Sequence, residues 1–143
     1  MNDGVLDTTV VACANCDLRA RTQGNSLNRR AALIERCVTG SLRVLYNKVL
    51  LQEYKNHIRE HRNDLIESFF AVLDSATAFL VRRSTLSRQD YNRARACRWP
   101  SHDQHLLAAA LGGVRASIYV TEQALSRCAE SIRREFRVRV EKV

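Results

Sequence analysis

Four acidic positions punctuate the chain at wide intervals: Asp7, Glu53, Asp103 and Glu122, the last followed by Gln123. Asp7 closes the apolar run Gly4-Val5-Leu6, and Glu122 follows Ile118-Tyr119-Val120-Thr121. Asp103 stands at the mouth of a predicted helix and Glu53 lies inside another. Carboxylate oxygens are hard donors, and a group of them can hold Mg²⁺ or Mn²⁺; Mg²⁺ keeps several waters and accepts few protein ligands. A metal held this way lowers the pKa of a bound water and stabilises the charge of a phosphodiester under in-line attack. No Ser, His or Cys nucleophile is then required. Each acid also has an ordinary role open to it. Asp7 could be a solvated turn residue or a cap, and Glu53 an exposed helix residue paired with Lys55 or His57. Asp103 and Glu122 would be favoured near a helix start by the dipole alone. Thr8, Thr9 and Thr121 could orient carboxylates or waters, or serve as turn and cap residues. The amide oxygen of Gln123 is a weaker ligand for the same cation.

Charge points toward polyanions. Lys and Arg number 23 against 15 Asp and Glu, a net +8 with neutral His, which favours encounter with nucleic acid. Arg82, Arg83, Arg88, Arg93, Arg95 and Arg98 crowd one stretch with Asp90 among them, and Tyr91 and Trp99 are interleaved. Guanidinium groups fork onto phosphate, and aromatic rings stack bases of single-stranded RNA. The alternatives are a solvated basic helix or a surface for an acidic partner. A second cluster, Arg133, Arg134, Arg137 and Arg139, reads as a solvated terminus. The cysteines (Cys13, Cys16, Cys37, Cys97, Cys128) are odd in number and irregular in spacing, which speaks against a disulfide framework and for cytoplasmic thiols. Cys13 and Cys16 have half a zinc-site spacing with no second pair. The four histidines show no metalloprotease spacing. The apolar stretch Thr9 to Ala14 is too short for a signal segment, and no stretch approaches a membrane span, so a cytoplasmic location with no membrane partner is expected.

The elements that must position these residues alternate. Strands are expected at Gly4–Leu6, Leu42–Tyr46, Ala78–Val81 and Ser117–Val120, with a late or edge strand over Phe136–Val140. The polar stretch Cys13–Gly24 reads as a loop or loose helix. Ser26 could cap a helix through Ala31–Ile34 that Gly40 ends. Asn47 could cap a helix carrying Val49, Leu50, Tyr54 and Ile58. Leu65–Leu73 is amphipathic, Thr85–Ala96 a basic helix. Trp99-Pro100 breaks the pattern before a capping box at Ser101–Gln104 and a helix through Leu106–Leu111. A helix from about Glu122 to Arg133 follows the fourth strand. With 143 residues and 45% hydrophobic composition, a single α/β domain over residues 1–143 is expected. Ligands on such sheets gather beyond the carboxyl ends of the strands, where Asp7 and Glu122-Gln123 fall.

The segments bearing the acids resemble those of the PIN-domain ribonucleases. Val5-Leu6-Asp7-Thr8-Thr9-Val10 is similar to the family's opening strand. Gly40 to Leu45, then Asn47 to Glu53-Tyr54, are similar to its second strand and the helix of its second acid. Asp103-Gln104-His105-Leu106-Leu107-Ala108-Ala109-Ala110 resembles the third-acid helix, and Ile118-Tyr119-Val120-Thr121-Glu122-Gln123-Ala124-Leu125 the fourth-acid strand and turn. The resemblance runs in order over nearly the whole chain. It departs at Thr9, where the family carries Asn after Asp-Thr, and at Thr121-Glu122-Gln123, where it carries Thr-x-Asp. The resemblance implies a three-layer α/β/α fold with a mostly parallel central sheet. It also implies an endoribonuclease leaving a 5′-phosphate and a 3′-hydroxyl. Asp7, Glu53 and Asp103 would hold Mg or Mn, with Glu122 as a fourth acid. Small relatives are often toxins of toxin–antitoxin pairs, silenced by an antitoxin protein, and often homodimers. The helix Leu65–Leu73 could supply an apolar dimer face or belong to the core. Gln123 keeps a second reading open: a PIN-like module, weakened or inactive, that binds RNA or a protein partner.

Overall fold

In a computed structural model, residues 2–16 and 29–143 are described. Five strands form one parallel sheet: β1 (Asn2–Leu6), β2 (Leu42–Tyr46), β3 (Phe79–Leu80), β4 (Ser117–Val120) and β5 (Arg139–Lys142), in the order β3-β2-β1-β4-β5. Among the described residues, eight α-helices connect them: α1 (Thr8–Cys16), α2 (Arg29–Thr39), α3 (Lys48–His57), α4 (Asp64–Leu73), α5 (Arg88–Ala96), α6 (Gln104–Leu111), α7 (Gln123–Ser126) and α8 (Ala129–Phe136). Right-handed crossovers put α1–α4 on one face. They put α6, which packs on β1, β2 and β4, and α8, which packs on β5, on the other. The result is a three-layer α/β/α fold whose sheet is wholly parallel.

Sequence accounts for the layers. The central strands β1 and β4 are covered on both sides, and Val5, Leu6, Ile118 and Val120 have no exposed surface, as a sheet sandwiched between helices requires. Ile66, Phe69 and Leu73 of α4 are buried, so that helix's apolar face belongs to the core and not to a dimer contact. Asn47 and Asn63 cap α3 and α4, accepting from the amides of Leu50 (3.1 Å) and Ile66 (2.9 Å). The side chain of Ser87 caps α5, which therefore starts after Thr85. Asp3 is buried in β1, where Arg43 holds both of its carboxylate oxygens at 2.7 and 2.8 Å and the amide of Val114 donates to it at 2.8 Å. These three donors keep its carboxyl below the ordinary range. A Cβ on Gly113 would sit 2.3 Å from Leu45 and 2.7 Å from that carboxylate, so the chain turns there without a side chain.

Several expected elements are corrected. Cys13 and Cys16 lie on α1, while residues 17–24, with Arg19 and Arg21, and the proposed Ser26 cap lie outside the described residues. The capping box does not form: Ser101–Asp103 is a 3₁₀ turn with Pro100 in the cap position and no side-chain cap bond. The helix expected from Glu122 to Arg133 is broken into α7 and α8. Leu125, Cys128 and Ile132 are all buried and keep helical spacing across the break, which hides it from periodicity. Phe136 ends α8, and Arg137, in the left-handed region at φ 58°, turns the chain into β5. The last strand therefore starts three residues late, as an edge strand.

Candidate active site

The strand order reverses at β1. Chain progression runs from β1 through β2 to β3 on one side and resumes at β4 on the other. The crevice between the carboxyl ends of β1 and β4 is thus the topological switch point, where open α/β sheets receive ligands. Asp7 directly follows β1, and its amide extends the ladder by donating to the Tyr119 carbonyl at 2.9 Å. Thr121 and Glu122 directly follow β4.

Buried side chains hold this end of the sheet. The Tyr54 hydroxyl, fully buried on α3, donates to the carbonyl of Leu6, the residue before Asp7. Tyr54 is braced edge-on by Phe69, ring centroids 5.8 Å apart. Asn47, also fully buried, donates to the carbonyls of His105 (2.9 Å) and Arg83 (3.1 Å). One amide therefore ties the start of α3, which carries Glu53, to α6 and to the segment leaving β3. The Trp99 indole donates to the Asp103 carbonyl at 2.9 Å. Thr121 Oγ1 donates to Thr9 Oγ1 at 2.7 Å, and Thr9 Oγ1 to Asp7 Oδ2 at 3.2 Å. The threonine standing where the resemblance led one to expect Asn therefore orients the first acid, with Thr121 behind it. Thr8 Oγ1 is buried and has no hydrogen-bond partner among the described residues.

The four acids form one electrostatic neighbourhood. The Asp7 carboxyl is pushed up to about 6, first by burial and then by the negative charge of Asp103, with Glu122 adding to it; the Thr9 hydrogen bond and the Thr8 amide act the other way. Asp103 is also raised, mainly by burial; His102 and His105 oppose the rise, and Glu122 and Glu53 add to it. Glu122, not Gln123, is thus the acid at the end of β4 that both Asp7 and Asp103 sense. The Gln123 amide oxygen instead accepts from Lys142 Nζ at 2.7 Å. Neither Glu122 nor Asp103 uses its side chain as a helix cap. His102 and His105 flank Asp103 in the sequence, a spacing open either to a cleft-facing histidine or to a capping or surface role. His105 is buried and its Nε2 faces Glu53 Oε1, and among the described residues neither atom has another hydrogen-bond partner. His102 Nε2 lies 3.2 Å from Asp103 Oδ2.

In kind and charge, this donor set fits a hard divalent cation: burial and neighbouring acids raise the carboxyls of Asp7 and Asp103, and positive charge placed beside them would relieve both. In arrangement it is not a finished cage. Among the described residues, no three carboxylate, imidazole or thiolate groups gather closely enough to hold one ion, since Glu53 is turned toward His105 and Asp103 toward His102.

The arginine stretch divides. Arg82 and Arg83 follow β3 at the same end of the sheet as the acids, and they are exposed, as are Arg88, Arg95 and Arg98. Arg93 is committed within the protein: it pairs with Glu135 at 2.7 Å and Asp90 at 3.0 Å and lies 4.5 Å over the Phe136 ring. Trp99 is buried at 3% exposure and cannot stack a base, which leaves Tyr91, half-buried, as the aromatic residue of that stretch. No helix among the described residues is long and apolar enough to cross a membrane. No family model, curated protein or solved structure matches the chain.

Proposed function

We propose that the chain is a PIN-type endoribonuclease that hydrolyses RNA phosphodiester bonds with Mg²⁺ or Mn²⁺ held by Asp7, Glu53 and Asp103, Glu122 supplying a fourth carboxylate. The observation that carries this reading is the placement of Asp7 and Glu122 just beyond the carboxyl ends of β1 and β4, with the Asp7 carboxyl pushed up to about 6 by burial first and by the charges of Asp103 and Glu122 after it. A buried carboxyl raised in this way is a candidate to receive positive charge. When bound, the metal would supply an activated water and charge stabilisation at the phosphorus. The chain's own part is positional. Thr121 and Thr9 orient Asp7, Tyr54 fixes the end of β1, and Asn47 holds the Glu53 helix against α6. Arg82 and Arg83 offer guanidinium groups to an RNA backbone at the same end of the sheet.

A second reading rests on the Gln123–Lys142 contact and on the histidine-facing Glu53 and Asp103: a PIN-like module that binds RNA through its arginines without cleaving it. One experiment separates the two. Purified protein is incubated with mixed RNA in Mn²⁺, in Mg²⁺ and in EDTA, alongside Asp7→Asn. Cleavage in metal that chelator and the substitution both abolish is the expected result. Binding without cleavage in every metal would replace the nuclease by the binding module.

A further inference from the structure

At the opposite end of the sheet, the amino ends of β1, β4 and β5 open into a cavity of about 330 Å³ lined by Arg115, Arg133, Arg137 and Arg139 together with Asn2 and Ser117. Arg115 comes from the loop before β4, Arg133 and Arg137 from the end of α8, and Arg139 opens β5. Most of this cluster reads from sequence as a solvated terminus, and its arginines are exposed; the fold also curves them around a concavity and adds Arg115, exposed as well. Among the described residues, no carboxylate lines the cavity. Glu130 and Glu141 line an adjoining groove shared with Arg133 and Arg139, and Glu130 faces Arg134 at 4.0 Å. Among the described residues, none of the four guanidinium groups makes a side-chain hydrogen bond or an ion pair.

Two further features describe this cavity. Arg115 and Arg137 both occupy the left-handed backbone region, at φ 49° and 58°, as Arg98 does elsewhere at 65°. Gly or Asn would adopt that conformation at lower cost, so the two turns that shape the concavity are made by residues that bring a guanidinium group to it. Ser117, 9% exposed, lines the cavity, and its hydroxyl has no hydrogen-bond partner among the described residues. It is a neutral donor in a cavity lined chiefly by positive charge.

We infer that this cavity is a phosphate-binding site, distinct from the acid cluster, for a ligand carrying two or more phosphate charges. Guanidinium forks match phosphate oxygens, and several such groups are neutralised better by a pyrophosphate-like anion than by a single carboxylate. The volume is at the small end of ligand pockets and suits a phosphorylated small molecule or the phosphorylated end of an oligonucleotide.

The test is calorimetric titration and thermal unfolding of the full chain in EDTA, which removes any metal contribution from the acid cluster. Pyrophosphate, adenosine diphosphate, a short 5′-phosphorylated oligonucleotide and its 5′-hydroxyl counterpart are compared with citrate at equal ionic strength. The expected result is binding and a raised Tm with the phosphorylated compounds, together with a loss of roughly tenfold or more in affinity in the R115N/R137N variant. Asn suits the left-handed turn, so that variant should unfold at no lower temperature than the parent when ligand-free. Tighter binding by the 5′-phosphorylated oligonucleotide would assign the phosphate to nucleic acid, and tighter binding by the diphosphates to a free metabolite. Citrate binding as tightly, no response to any phosphate, or unchanged affinity in a folded R115N/R137N would overturn the inference.

Discussion

Asp7 is buried among acids, and its carboxyl is pushed up to about 6 from 3.8, so in its ionised form it works against folding. Between about pH 4 and about 6 the folded chain holds a proton that the unfolded chain has released. Stability therefore falls as pH rises through that window, and the loss is complete above it. Asp7→Asn removes the charge and is expected to stabilise the protein by about 1–2 kcal/mol at neutral pH, with the gain shrinking toward about pH 4. Denaturant unfolding at both pH values checks this, and an equal effect at each would show that Asp7's charge is not the cause. The position of Asp7 after an apolar strand was readable in the sequence. Its orientation was not, because Thr121 and Thr9 are 112 residues apart in the chain and only the assembled sheet brings them together. For the same reason the pairing of Glu53 with His105 was invisible: each has a plausible local role of its own. The contact of Gln123 with Lys142 depends on β5, whose start the alternating pattern misplaced.

The core strands were legible because parallel strands buried on both faces leave continuous apolar runs, as Val44-Leu45 and Ile118-Tyr119-Val120 do. Boundaries failed where a turn kept the spacing of a helix, as between α7 and α8, or where a left-handed Arg interrupted an alternating run, as before β5. Asn47 was read correctly as a cap, but its larger role is to join three segments. With Leu50, His105 and Arg83 as partners and no exposed surface, Asn47→Ala should cost about 3 kcal/mol, combining a lost cap with two buried carbonyls left unpaired. Equilibrium unfolding measures it. A cost within the range of an exposed cap alone, about 1 kcal/mol, would mean that water replaces the amide and that α3 and α6 are held by packing.

Charge is distributed over the molecule with a division that composition could not reveal. Net +8 predicts attraction to polyanions but not where. Exposed Arg82, Arg83 and Arg88 lie beyond β3, whereas Arg93 is neutralised internally. If the first three contact phosphates of single-stranded RNA, the R82Q/R83Q/R88Q variant should lower the slope of log affinity against log salt by about 2, measured by equilibrium binding in EDTA. An unchanged slope would place the RNA path elsewhere.

The central place of β1 has a consequence for how the protein is made. β1 leaves the ribosome before both strands that flank it: its Asn2 pairs with Leu42 and its Gly4 with Ser117. The strand must therefore wait for β4 before its second neighbour exists, and closure over such distances is slow. Until translation passes Val120, Asp7 has neither Asp103 nor Glu122 settled beside it. A nascent chain therefore carries separated, ordinary acids, and their convergence arrives only when the sheet is completed.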